Sequence, residues 1–239
     1  MPSEDRSRLH PSRLRGWLSE REPATLLALL LVACAVWAFV EIADEVLEGE
    51  TQAVDERLLL ALRSAADPHD PLGPSWVEEL GRDITGLGGV GVLTLLTVAS
   101  AGFLVLQRKA HLALYLVAAV ASGALASQLL KLGFDRPRPD LVPHGQVVYT
   151  SSFPSGHSML SAVAFLTLGA LLASAQSSRR MKAYLLGLAI VFATAVGVSR
   201  VYLGVHWPSD VLGGWTAGAG WALLCWSIAR YLQRRGKLE

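Results

Sequence analysis

The stretch Leu112-Ala-Leu-Tyr-Leu-Val-Ala-Ala-Val-Ala-Ser-Gly-Ala-Leu-Ala-Ser-Gln-Leu-Leu130 decides the fold: it carries no charge and stops at Lys131. A helix needs about 20 apolar residues to cross the hydrocarbon core of a bilayer. Five further runs approach that length: Ala24–Ala43, Leu87–Leu106, Met159–Ala175, Ala183–Tyr202 and Val211–Leu232. A soluble chain of 239 residues rarely buries six such runs. The expected fold is therefore all-α, a polytopic membrane protein with six transmembrane helices. One membrane domain is read over 23–239, behind a basic, polar lead over 1–22.

Composition agrees. The chain is 52% apolar and 17% charged, and the charges fall in short stretches between the runs. A net charge of +1 offers no basic face for nucleic acid, so no such partner is expected. Cys34 and Cys225 both lie inside apolar runs. Two such thiols make neither a disulfide framework nor a zinc site, and they read as small buried side chains. Leu31-Val32-Ala33-Cys34 has the form of a lipoprotein cleavage box. The apolar run continues through Val36 to Val40, however, so an uncleaved first helix is expected.

Basic residues set the orientation. Arg6, Arg8, Arg13, Arg15 and Arg21 fall on one side, together with Arg108, Lys109, Arg179, Arg180, Lys182, Arg230, Arg234, Arg235 and Lys237. Both termini are expected in the cytoplasm, in a membrane of the bacterial inner-membrane kind. The longest external segment is 44–86. It opens on Asp44, Glu45, Glu48 and Glu50, then passes through Leu58-Leu59-Leu60-Ala61-Leu62, which is too short to span and is expected to lie along the interface. Residues 67–74, rich in Pro and Asp, read as a loop. Gly214 and Gly218 have the small-xxx-small spacing of close helix contact, with packing inside the monomer as the default and a homodimer as the alternative.

Three polar segments then share the external face. Lys131-Leu-Gly-Phe-Asp-Arg-Pro-Arg-Pro139 ends the third run, and its prolines hold Arg138 on an extended backbone. Lysine supplies a compact charge, and arginine a planar fork for two phosphate oxygens. Ser151-Ser-Phe-Pro-Ser-Gly-His157 precedes the fourth run, where free amides at a helix N-terminus favour an anion. Gly156 lets the backbone come close, Ser155 caps the helix or donates, and His157 is placed to give a proton. Ser199-Arg-Val-Tyr-Leu-Gly-Val-His-Trp-Pro-Ser-Asp210 joins the last two runs. Asp210, four residues after His206, can bond one imidazole nitrogen and free the other to attack. Each segment alone also admits a structural reading: a basic helix end, an ordinary cap, a structural His–Asp pair.

Together, Lys-x6-Arg-Pro, Pro-Ser-Gly-His and Ser-Arg-x5-His-x3-Asp occur in that order without a substitution. The combination strongly resembles the type-2 phosphatidic acid phosphatase superfamily of integral-membrane lipid phosphate phosphatases. The motifs cover 131–210, and the helix layout extends the likeness over most of the chain. The resemblance implies that His206 is the nucleophile and forms a phosphohistidine. It implies that Asp210 orients His206, and that His157 protonates the leaving alcohol and then activates water. Lys131, Arg138 and Arg200 would hold the phosphate, assisted by Ser155 and the Gly156 amide. Arg136 lies outside the strict motif and is a candidate second phosphate contact. No metal and no cofactor are expected. The substrate partner would be a membrane lipid bearing a phosphate or diphosphate, with water as acceptor. The alternative is a lipid phosphotransferase, in which a second hydroxyl or phosphate replaces water at the same phosphohistidine.

Overall fold

The computed structural model describes residues 23–142 and 150–234. Within them the chain forms eight α-helices and no β-strand: α1 Pro23–Glu48, α2 Gln52–Leu60, α3 Ser75–Gly86, α4 Val90–Leu106, α5 Ala110–Lys131, α6 Gly156–Ser174, α7 Arg179–Tyr202 and α8 Pro208–Arg234. The lead over 1–22, and Arg235 and Lys237 at the other terminus, lie outside the described residues.

Helix is what these apolar runs must form in lipid, because only a helix satisfies every backbone group within its own segment. The boundaries have local causes. Ser155 caps α6 and Ser178 caps α7, each side chain accepting a backbone N–H three residues on. Pro208 opens α8, where its missing N–H costs nothing. Five helices are long and apolar enough to cross a membrane: α1, α5, α6, α7 and α8. The expected sixth span is broken. α4 begins at Val90 rather than Leu87 and reaches a spanning length only together with α3, through a bend of 51°. The break falls at Leu87-Gly88-Gly89, where a side chain at Gly88 would press on Val196 and on the His157 backbone.

Two further expectations are corrected. The segment from Asp44 is not loop from its start: α1 continues past Ala43 to Glu48, so Asp44, Glu45 and Glu48 are helical. Its end stays ordered because Ala43 and Val46 are buried against Phe153, with Phe39, Ile42 and Phe134 around them. Cys34, expected to be buried, is exposed on α1, because this run turns most of its surface outward.

α6 is the most buried of the spans and α1 the least. α6 packs chiefly on α7 and α8, and α1 leans on α8. A core of Leu93, Leu116, Val120, Leu160, Val163 and Ala164 ties α4, α5 and α6 together, with Trp221 of α8 against it. Gly214 and Gly218 face α6 within the same chain. A β-carbon at Gly214 would lie 2.7 Å from the Ser155 carbonyl, and one at Gly218 would lie 2.8 Å from the Ala162 β-carbon. Outside the bundle, Leu30, Trp37, Leu95, Phe103, Leu125 and Ile190 are all more than half exposed, an apolar girdle that water would not tolerate. Short links make α4 and α5, α6 and α7, and α7 and α8 antiparallel, and the hydrogen bond from Lys131 to Ser151 holds the end of α5 beside the start of α6. The C-termini of α5 and α7 and the N-termini of α6 and α8 therefore meet at one end, where α2 and α3 also lie.

Candidate active site

His206 sits in the turn between α7 and α8 and is almost fully buried. Because α8 starts two residues later, its first turn carries Asp210 back beneath the ring. His206 Nδ1 lies 3.3 Å from Asp210 Oδ2. The carboxylate is itself held: Oδ2 accepts the Trp207 backbone N–H at 2.9 Å and the Ser152 hydroxyl at 2.5 Å, and Oδ1 accepts Arg136 Nη1 at 2.7 Å. An ionised acceptor this well supplied fixes the tautomer, with the proton on Nδ1 and the lone pair on Nε2. Nε2 faces Arg138, whose Nη1 stands 3.1 Å away and also donates to the Val205 carbonyl at 3.1 Å. Burial pushes the His206 pKa down to about 3, against the pull of Asp210. Burial also lowers the pKa of Arg138, partly offset by Asp210.

The other expected residues gather round this pair. Lys131, at the end of α5, donates from Nζ to the Ser151 carbonyl at 2.6 Å. It lies within electrostatic reach of Arg138, Arg200 and Asp210. Arg200, the last basic residue of α7, is buried and donates from Nη1 to Thr85 of α3 at 3.1 Å, while its Nε has no partner. The charges of Arg200, Arg138 and Lys131 all act on the His157 ring. Ser155 is spent as a cap, accepting from the Ser158 backbone and hydroxyl, and its own backbone N–H donates to the Asp210 carbonyl at 2.9 Å. Gly156 leaves room beside Lys131, whose Cε would lie 3.6 Å from a β-carbon there.

Arg136 does not fit the second phosphate contact expected from the sequence. Its guanidinium is nearly buried and is taken up by carboxylates: Nη1 by Asp210, and Nη2 by Asp55 at 2.7 Å. Nη1 also reaches Ser209, and Nη2 reaches Thr51. Asp55 of α2 completes the cluster by accepting from the Ser209 backbone N–H at 2.9 Å and from its hydroxyl. Asp55, Ser152 and Thr85 are members of the site that sequence reasoning missed. Ser152 stands inside one of the three polar segments. Asp55 and Thr85 had no signal, because their partners are 154 and 115 residues away.

One space adjoins the cluster, and a second opens between helices elsewhere in the bundle. His157, Arg200, Thr85 and Val205 line a polar cleft of about 820 Å³. An apolar groove of about 390 Å³ lies between α1, α5 and α8 and is lined by Phe39, Leu130, Met159 and Trp221 among others.

A family model described as the PAP2 superfamily matches residues 112–234, which hold all three motifs. The chain belongs to the PAP2 superfamily. Over 185 residues it is 32% identical to phosphatidylglycerophosphatase B of Bacillus subtilis (strain 168), covering 75% of this chain and 85% of that protein. It is 31% identical to lipid A 1-phosphatase of Rhizobium etli over 175 residues, 63% of this chain and 71% of the relative. Its fold is similar to the crystal structure of a transmembrane PAP2 type phosphatidylglycerolphosphate phosphatase from Bacillus subtilis. That match has a TM-score of 0.70 and 27% identity, over 87% of this chain and 98% of the other. This PAP2 protein is thus an integral membrane protein of several apolar helices, and its three motif segments converge on one buried histidine.

Proposed function

We propose that this PAP2 lipid phosphatase hydrolyses a lipid phosphate or diphosphate without a metal, through a phosphohistidine at the external membrane face. The observation that carries the reading is the setting of His206, with Nδ1 against the Asp210 carboxylate and Nε2 facing the Arg138 guanidinium. In the first step Nε2 attacks phosphorus, an N–P bond forms and the P–O bond to the lipid breaks. His157 gives its proton to the leaving oxygen. In the second step His157 takes a proton from water, whose oxygen attacks phosphorus, releasing phosphate and restoring His206. Phosphoryl transfer demands positioning and charge stabilisation at the equatorial oxygens, and Lys131, Arg138, Arg200 and the α6 N-terminus supply both. Phosphatidic acid, phosphatidylglycerol phosphate and polyprenyl diphosphate all meet these requirements.

The test is phosphate release in detergent with EDTA present and no added acceptor, comparing wild type with His206→Ala. Release that survives the chelator and is lost in the variant is the expected result. Activity that needs a metal, or that persists in His206→Ala, would overturn the mechanism, and phosphate that passes from the donor to an added acceptor lipid, with none released free, would make the protein a phosphotransferase. Sealed right-side-out vesicles given a short-chain, impermeant substrate should hydrolyse it from outside; hydrolysis only after permeabilisation would place the site on the inner face.

A further inference from the structure

The polar cleft holds a second buried cation that the motifs do not account for. Arg63, in the turn after α2, lines the same cleft as His157 and Arg200. It is only 6% exposed. Its Nη2 donates to the Tyr202 carbonyl at the end of α7, at 2.8 Å, and its buried Nε has no partner among the described residues. Glu78 and Asp70 act on it electrostatically, yet among the described residues no carboxylate forms an ion pair with it. Glu78, also in the cleft wall, is already paired with Arg82, and His69 stands 4.0 Å from Asp67. A buried guanidinium left with a single carbonyl partner is costly unless an anion completes its shell. Arg200 shows the same pattern, with Nε unused and no carboxylate in contact, and Arg200 belongs to the cradle of the reacting phosphate.

We propose that Arg63 forms a second anion subsite, which takes a phosphate carried on the leaving group of the substrate. The assignment rests on His206 as nucleophile and His157 as acid. In-line transfer puts the leaving oxygen opposite His206, on the side of His157. The remainder of the leaving group, beyond that oxygen, enters the cleft that His157 lines, whose wall includes the Arg63 guanidinium. The shared chemistry is a lipid with two phosphates, either adjacent in a diphosphate or separated by a short polyol head group.

The experiment uses the full chain in detergent as wild type, Arg63→Gln and Arg63→Lys. Glutamine keeps an N–H for the Tyr202 carbonyl and loses the charge; lysine keeps the charge. Substrates are phosphatidic acid, with one phosphate, and phosphatidylglycerol phosphate and undecaprenyl diphosphate, each with two. In Arg63→Gln, kcat/KM should fall about 10- to 100-fold on a two-phosphate lipid, the loss expected for one charged hydrogen bond. It should stay within about twofold on phosphatidic acid, and Arg63→Lys should recover most of the loss. The two-phosphate lipid that suffers identifies the spacing. An equal fall on all three substrates, or no fall on any, overturns the subsite and leaves Arg63 as a cap for α7. Calorimetric binding of inorganic diphosphate and glycerol bisphosphate, set against orthophosphate, separates this proposal from its parent. Weaker binding of a bisphosphate alone in Arg63→Gln supports the subsite even if wild type hydrolyses no lipid. Unchanged binding of both bisphosphates overturns it.

Discussion

The imidazole of His206 is buried where the neutral ring is favoured. Folding encloses the neutral ring, so its pKa falls from the ordinary 6.5 to about 3. The stabilisation is complete above about pH 6.5, and is lost as pH falls toward 3, where the folded protein must take up a proton it excludes. On the proposed mechanism, the same shift would keep His206 competent in mild acid. Phosphoenzyme formation, followed by rapid quench into base at saturating lipid, should change less than about threefold through this group between pH 7 and pH 5. An ordinary histidine would lose about 30-fold over that interval, and a drop of that size would deny the assigned state of His206. The His–Asp pair was legible in the sequence because both residues lie in one turn, four positions apart. Ser152 gives its hydroxyl to the same carboxylate, but its role was not legible, since nothing local says that it faces α8.

Among the helices, the apolar runs foretold the five independent spans with ends displaced by a few residues, because hydropathy reports lipid exposure directly. The elements over the site were less legible. α2 and α3 are short and polar, with α2 packed on α8 and α3 on α7, and α3 carries its own amphipathic pattern and an i,i+4 Glu78–Arg82 pair that hydropathy alone does not register. The break between α3 and α4 was invisible for a related reason: apolar residues continue across it, and the glycines that permit it are also common in unbroken spans. Close packing of α6 on α8 makes its own prediction. Gly214→Ala puts a methyl 2.7 Å from the Ser155 carbonyl and 2.9 Å from the Ser158 β-carbon. The cost should be about 1–3 kcal/mol, read as a lower melting temperature in detergent. Activity should fall with it, because the displaced turn carries Gly156 and His157. A variant that melts and turns over like wild type would mean that α6 and α8 sit further apart.

Across the whole molecule, the strongest polar link joins three distant parts. Arg136 lies between Asp55 and Asp210, and all three side chains are at least nine-tenths buried. Arg136→Gln leaves two carboxylates facing each other without their shared cation, which should cost about 3–5 kcal/mol. Asp55→Asn in that background removes one of the stranded charges and should recover part of the loss. If Arg136→Gln alone unfolds at the wild-type temperature, the cluster does not clasp the fold.

The Asp55–Ser209 contact also bears on the order in which the protein becomes an enzyme. Asp55 leaves the ribosome 154 residues before the serine whose amide and hydroxyl it will accept. Arg136 emerges between them and can neutralise Asp55 first, while its other nitrogen waits for Asp210. Until α8 packs, His206 has no carboxylate beneath its ring. On the proposed mechanism, the chain would therefore turn over no lipid until the final helix enters the bundle and brings Asp210 beneath His206.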